Sequence, residues 1–217
     1  MLLAAVNSTA AEEPFRIHDI LRAVSGALEV PVVVLLVLFL LAAIALVGWL
    51  IAEYCTERRH LKVALPALME QLRTADDREA VIEQSGLLRR QKDALLELLR
   101  HPDFTDATRE ALAVELLERE QDRYDNIVKL SELLARLAPM LGLLGTLIPL
   151  GPGIIALGQG DTQTLSTSLL TAFDTTIAGL CAAAVCLVVT TLRKRWYGGY
   201  LADLETLMDC VCEEEAA

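Results

Sequence analysis

Three long apolar stretches dominate the pattern of hydrophobic and polar positions along the chain. Residues 31–52 and 137–159 contain no charged side chain, and residues 165–192 contain a single one, Asp174. Each stretch is long enough for a helix to cross ~30 Å of hydrocarbon at ~1.5 Å per residue. About eighty residues, rich in charged and helix-forming types, separate the first stretch from the second. The pattern therefore predicts an all-α membrane protein with three transmembrane helices and one large hydrophilic excursion.

The polar region between the first two crossings has the composition of helices throughout. We expect one helix over 57–74 that continues the first crossing, and a second from a cap at 76–77 to Leu99. A third helix is expected to begin near residues 105–108, and its apolar positions continue into the second crossing without a turn signal. Long helical extensions should therefore project from the membrane helices.

In the residues before the first crossing, apolar positions recur about every 3.6 residues. This spacing predicts a short amphipathic helix that ends at Pro31. This helix lies on the outer membrane face or packs on the outer end of the subunit itself, and the pattern leaves both open. Residues 1–6 lack a basic segment and a long apolar run. We therefore expect no cleaved signal peptide, so that the first crossing stays as an anchor.

Lysine and arginine positions predict the orientation in the membrane. Basic residues follow the first and third crossings, at Arg58, Arg59, Lys62 and 193–195, whereas residues 159–168 contain none. Basic residues concentrate on the cytoplasmic side, so the C-terminus should be cytoplasmic and the N-terminus outside. The predicted segments are an outer amphipathic segment 1–29, membrane helix 30–53, cytoplasmic helical domain 54–136, membrane helix 137–158, outer loop 159–165, membrane helix 166–192, and cytoplasmic C-terminal helix and acidic tail 193–217.

Composition narrows the classes of function. A net charge of −11 argues against nucleic-acid binding, which needs a basic face. Cys210 and Cys212 stand beside three glutamates, but a second ligand pair is missing, so we expect no metal site. The three histidines lie in separate segments, and we find no nucleophile–base pair or phosphate loop. The sequence therefore predicts neither an enzyme nor a resident cofactor.

The second crossing is rich in small residues and prolines. Small residues allow helix backbones to approach closely in lipid, where no hydrophobic effect drives helices together. Proline removes a helical hydrogen bond and should kink the crossing. Together with one glycine of the third crossing, the residues predicted to pack helices are Gly142, Gly145, Gly179, Pro139 and Pro149.

The third crossing places an acid among hydroxyls. Asp174 lies near its middle, where a charged residue costs roughly 2.5–3.5 kcal/mol on insertion scales, so it should face a cavity, a partner or a proton path. Threonine hydroxyls often donate only to a carbonyl one turn back, which accounts for one or two such residues but poorly for four beside a carboxylate. The candidate ion-pathway residues are Thr146, Thr171, Asp174, Thr175 and Thr176. A neutral interface role for Asp174 stays open.

Two segments carry a resemblance to a known family. Residues 138–146, Ala-Pro-Met-Leu-Gly-Leu-Leu-Gly-Thr, and residues 175–180, Thr-Thr-Ile-Ala-Gly-Leu, resemble the second and third crossings of the MotA/TolQ/ExbB proton-channel family. The order of parts over nearly the whole chain is similar too. The resemblance implies a homopentamer whose second and third crossings line a pore around a dimer of a single-crossing ExbD/TolR/MotB-like partner, which contributes an essential aspartate.

By position, Thr146 and Thr176 match the pore-facing threonines of that family. ExbB- and TolQ-like members carry a glutamate five residues before the second of these, where this chain has Thr171. Asp174 stands two residues before Thr176, about 200° around the helix, and so is no simple substitute.

Two functional hypotheses follow. The first is an ion-conducting subunit of a membrane motor in the cell inner or plasma membrane, transporting H⁺ or Na⁺. The alternative is a non-conducting oligomeric scaffold whose cytoplasmic helices dock soluble partners.

Overall fold

A computed structural model describes residues 13–57, 65–75, 77–101 and 104–215 of the chain. All regular structure in these residues is α-helical. The helices are α1 (Glu13–Glu57), α2 (Leu65–Thr74), α3 (Arg78–Gln84), α4 (Arg89–Leu99), α5 (Asp106–Gly158) and α6 (Thr162–Glu215). Residues 1–12 of the predicted outer segment, the basic residues Arg58, Arg59 and Lys62, and Asp76 lie outside the described residues.

Each predicted crossing lies within one long helix. The helices α1, α5 and α6 are long and apolar enough to cross a membrane. The helix expected to begin near residues 105–108 begins at Asp106 and continues through the second crossing to Gly158, which confirms that prediction. The prolines at 139, 149 and 152 lie inside α5 without ending it. The all-α prediction with three apolar helices is confirmed.

The predicted break at Pro31 is wrong. Helix α1 continues through this residue from Glu13 to Glu57. Proline removes one helical hydrogen bond but holds φ near the helical value. Since long helical runs flank it on both sides, one missing bond does not end the helix.

The connection between α5 and α6 is shorter than the loop expected over residues 159–165. Gly160 adopts a φ of 82°, and the Asp161 amide donates to the Ala156 carbonyl (2.9 Å), which is the usual glycine-ended helix stop. The Asp161 carboxylate then accepts from the Thr164 amide (3.0 Å) and caps α6. Because one residue finishes the stop and begins the cap, three residues are enough to reverse the chain.

The described residues divide into two compact units. We call residues 13–44 and 133–186 the apolar unit, and residues 45–132 and 187–215 the polar unit. Helices α1, α5 and α6 contribute a segment to each unit.

Within the apolar unit, α5 and α6 meet at glycines. A Cβ atom built on Gly179 would lie 2.7 Å from the Ala138 carbonyl oxygen and 3.0 Å from the Gly142 Cα. A Cβ on Gly145 would lie 2.6 Å from the Thr175 Cβ. The two backbones can approach this closely only where side chains are missing. The small-residue surface is therefore used within one chain, where these three glycines pack α5 against α6.

In the polar unit, the predicted helix over residues 76–99 is divided in two. Asp77 caps α3, since its carboxylate accepts from the Ala80 amide (3.1 Å), but α3 ends at Gln84. Leu87 in the break is buried with Leu95 and Leu98 in a core that α6 completes. The Gln91 side chain accepts from the Leu88 amide and donates to the Tyr200 carbonyl (3.0 Å). Leu87 thus anchors the break in the core, and Gln91, in the first turn of α4, links α4 to α6.

A buried ion pair links α1 to α6 in the polar unit. The fully buried guanidinium of Arg193 donates from Nε and Nη2 to one carboxylate oxygen of Glu53, at 3.2 and 3.1 Å. The Tyr197 hydroxyl donates to the other oxygen. The Trp49 ring lies 4.8 Å from the guanidinium carbon and covers it. The two charges are thus paired, which a buried ion pair requires, while Arg193 Nη1 is buried without a hydrogen-bond partner among the described residues.

We expect Gly179→Ala to lower the free energy of unfolding by roughly 1–3 kcal/mol, because the added methyl would overlap backbone atoms that cannot turn away. The change is measured by adding denaturing detergent to the protein in mild detergent and monitoring unfolding by circular dichroism. Gly151→Ala is the matched control in α5, since a Cβ there meets nothing within 4 Å. Equal stability of the two variants would contradict the close contact.

We expect Glu53→Ala to lower the free energy of unfolding by ~3–5 kcal/mol, because it leaves the Arg193 guanidinium buried without a counter-charge. The control is Glu115→Ala, which removes an exposed pair with Arg119 (3.0 Å) and should cost less than ~1 kcal/mol. The same unfolding assay compares them. Similar losses in both variants would show that the Glu53 pair contributes no more than a surface pair.

Candidate ion pathway in the apolar unit

One face of α6 is buried against the rest of the apolar unit. Ala172, Thr175, Gly179 and Ala182 are buried along it, at helical spacing. Thr175 lies on this face between Ala172 and Gly179, because its side chain occupies the room that Gly145 leaves.

Thr175 is therefore a packing residue in the isolated chain. Its side chain is 7% exposed, and its hydroxyl donates to the carbonyls of Ala172 (2.9 Å) and Thr171 (3.1 Å). A buried hydroxyl needs such a partner, and here the helix itself supplies it.

The other three threonines are half-buried beside this contact. The Thr146 hydroxyl donates to Leu143 (2.7 Å), that of Thr171 to Thr167 (3.1 Å), and that of Thr176 to Ala172 (3.1 Å). Donation to a carbonyl of the same helix thus accounts for all four hydroxyl protons. From the sequence we expected this for only one or two of the four threonines. Each hydroxyl oxygen retains acceptor capacity, which suits a hydronium ion, a water molecule or Na⁺.

Asp174 has a different environment from the threonines. Its side chain is exposed on α6 between Phe173, which is 62% exposed, and Ile177, which is 59% exposed. It forms no hydrogen bond or ion pair with any residue in the part of the chain that the structure describes. A carboxylate on an apolar membrane surface is costly unless it meets a partner, water or a proton. The chain by itself supplies no partner among these residues.

The structure brings together only some of the predicted site residues. Thr175 meets Gly145, and a Cβ built on Gly142 would lie 3.6 Å from the Thr176 Cα. Pro149 is buried and Pro139 half-buried on α5. Asp174 stands apart from the buried face that holds Thr175.

The connection between the crossings carries a further acid, Asp161. The Thr164 hydroxyl, at 2.5 Å, and then the Thr164 amide hold the pKa of this carboxyl below its usual value. Asp161 is thus ionised at neutral pH, where its negative charge suits the N-terminus of α6.

Sequence reasoning missed two polar contacts of the polar unit. Glu53 and Arg193 are the first charged residues after the first and third apolar stretches, and their opposite charges at corresponding ends could have indicated a pair. The buried hydroxyl contact between Ser131 and Thr190 (2.8 Å) left no comparable signal. One serine among many polar residues cannot be matched to one threonine without the fold.

Comparison with known proteins identifies the family. The family model described as "MotA/TolQ/ExbB proton channel family" matches residues 83–206, more than half of the chain. "Biopolymer transport protein exbB1" of Vibrio cholerae serotype O1 is 31% identical over 118 residues, which are 52% of this chain and 52% of that protein. The chain thus spans about half the length of this curated relative in the match. With its three apolar helices, the chain is a multi-pass membrane protein that belongs to the MotA/TolQ/ExbB proton channel family.

Proposed function

We propose that this chain is an ion-conducting subunit of a membrane motor, carrying protons and converting ion motive force into mechanical work. The observation that carries the proposal is the exposed carboxylate of Asp174, which has no partner in the described part of the chain and lies among apolar side chains of a membrane helix. Membership of a proton channel family supports an ion path there.

Assembly supplies what a single chain lacks. The small-residue contact of α5 and α6 is used within the subunit, so the assembly surface is the apolar surface left exposed on both helices. Its members include Leu143, Leu147, Leu170, Phe173 and Ile177. Five copies arranged around a central axis would remove this surface from lipid and place Asp174 at an interface or a pore. The pentamer is the arrangement that the family resemblance implies.

The partner in this proposal is a dimer of a single-crossing ExbD/TolR/MotB-like subunit inside the pore. Its aspartate would alternate between protonated and charged states beside the threonine hydroxyls, whose free lone pairs accept from water or hydronium. One charge that crosses 100 mV releases ~2.3 kcal/mol, which is enough to bias a conformational step. The chain needs no cofactor of its own for this work.

The proposed location is the cell inner or plasma membrane, with the N-terminus outside and the C-terminus cytoplasmic. In this orientation the connection at 159–161 faces outwards, and the polar unit faces the cytoplasm. The basic residues after the third crossing support this direction.

We expect Thr146→Val with Thr176→Val to abolish ion flux, because valine keeps the shape of threonine but loses the oxygen that accepts from the ion or water. Flux into vesicles that contain the full complex with its partner measures the effect. Thr206→Val is the control, since the Thr206 hydroxyl also donates to a carbonyl one turn back, at Ala202 (2.8 Å), but lies in the polar unit. Full flux in the double variant would mean that these two hydroxyls are not part of the ion path, whereas no flux through the wild-type complex would favour the non-conducting scaffold.

Asp174→Asn separates a titrating role from a neutral one. An amide retains a donor and an acceptor but cannot exchange a proton, so we expect flux to fall at least tenfold while the oligomer mass stays unchanged. Native mass spectrometry and the flux assay make the two measurements. Unchanged flux would mean that Asp174 is an interface residue.

The orientation is tested by labelling single cysteines with a membrane-impermeant reagent, in a variant without the five native cysteines. We expect Thr162→Cys, at the start of α6, to be labelled in intact cells. Glu118→Cys, at an exposed position of the polar unit, should be labelled only after permeabilisation. The reverse result would invert the proposed topology.

A further inference from the structure

A groove of about 750 Å³ lies in the polar unit, beside α1 and α6. Its apolar lining includes Leu50, Ile51 and Leu192. These belong to the last residues of the first and third apolar stretches. One end of the groove therefore lies where the first and third apolar stretches end.

Aromatic side chains form the next part of the lining. The rings of Tyr54 and Trp196 lie 5.7 Å apart at an angle of 37°, and Tyr200 lines the same groove. Tryptophan and tyrosine concentrate where a bilayer changes from hydrocarbon to headgroups, because their rings are apolar and carry one polar atom. These rings therefore place this part of the groove at headgroup level.

Among the described residues, the lining also carries one charge of each sign. Arg195 follows the apolar part along α6, and Asp203 lies eight residues further along the helix. Along α6, away from the third apolar stretch, the described lining thus presents an apolar group, a cation and then an anion, while Leu65 and Leu87 add apolar groups from other segments. An ethanolamine phospholipid presents its groups in the same order: acyl chains, a phosphate and then an ammonium group.

We propose that this groove binds a phospholipid with an ethanolamine headgroup. The acyl chains contact Leu50, Ile51 and Leu192, the Arg195 guanidinium binds the phosphate, and the Asp203 carboxylate binds the ammonium group. A glycerol headgroup would bring no cation to Asp203, so an anionic phospholipid fits less well. The volume suits a headgroup with the first carbons of its chains, within the ~300–1,000 Å³ of small-molecule sites. The inference goes beyond ion conduction and does not depend on it.

Two neighbouring glycines provide a matched test. Both Gly198 and Gly199 are exposed on α6, and a Cβ added to either meets nothing within 4 Å. Only Gly199 lines the groove. A leucine at 199 should therefore fill the groove, whereas a leucine at 198 should not, and the Cβ atom has room at both positions.

The full chain is purified in mild detergent, supplied with phosphatidylethanolamine, and analysed by native mass spectrometry for lipid retained per subunit. We expect Gly199→Leu to retain at least fivefold less lipid than wild type, and Gly198→Leu to retain as much as wild type. Thermal unfolding establishes that both variants are folded. Equal retention of lipid in the two variants would overturn the proposal. A change of oligomer mass in Gly199→Leu alone would overturn it too, since the groove would then bind another subunit.

The headgroup is tested with two further variants and a second lipid. Arg195→Gln should weaken retention of phosphatidylethanolamine on the order of tenfold, the size of one charge-assisted hydrogen bond. Asp203→Asn should weaken retention of phosphatidylethanolamine but not of phosphatidylglycerol. If wild type retains phosphatidylglycerol as well as phosphatidylethanolamine, the assignment of the headgroup is wrong.

Discussion

The close approach of α5 and α6 at three glycines is the constraint on which the rest of the apolar unit depends. In hydrocarbon, apolar side chains gain nothing by leaving lipid for one another, so two helices associate only if their surfaces fit closely. The atoms nearest to Gly179 are backbone atoms of Ala138 and Gly142. At this distance, dispersion contacts between the backbones replace those with lipid, and no side chain has to be ordered to make them.

This contact also determines what the neighbouring threonines can do. Thr175 lies against Gly145 and donates both to Ala172 and to Thr171, so its hydroxyl is held within the subunit. Thr146 and Thr176 flank the contact and stay half-buried. Their hydroxyl protons are donated within the helices, which leaves the lone pairs of their oxygens as acceptors. The geometry therefore favours accepting from hydronium or water, or coordinating Na⁺, over donating to an anion.

The sequence predicted best those elements whose apolar residues follow a regular helical spacing. The three crossings and the start of α5 follow from charge-free length and helical spacing, which are local properties. The break before α4 was missed because Leu87 leaves a helix to enter a core completed by distant residues of α6. The packing of Thr175 against Gly145 was missed for the same reason, since which face of a crossing is buried depends on where the residues of another helix lie. The predicted helix end at Pro31 was wrong because proline interrupts only one local hydrogen bond, whereas long helical segments continue on both sides of this residue.

Two acids of this chain show two ways of keeping a carboxylate near hydrocarbon. Glu53 receives hydrogen bonds from Arg193 and Tyr197, so its charge is balanced by its own chain. Asp174 has no such neighbour among the described residues and lies between Phe173 and Ile177 on an exposed surface. If both acids served only stability, the second would need the same local compensation as the first. The compensation for Asp174 must instead come from protonation, from water or from another chain, and each of these is available in a proton-carrying assembly.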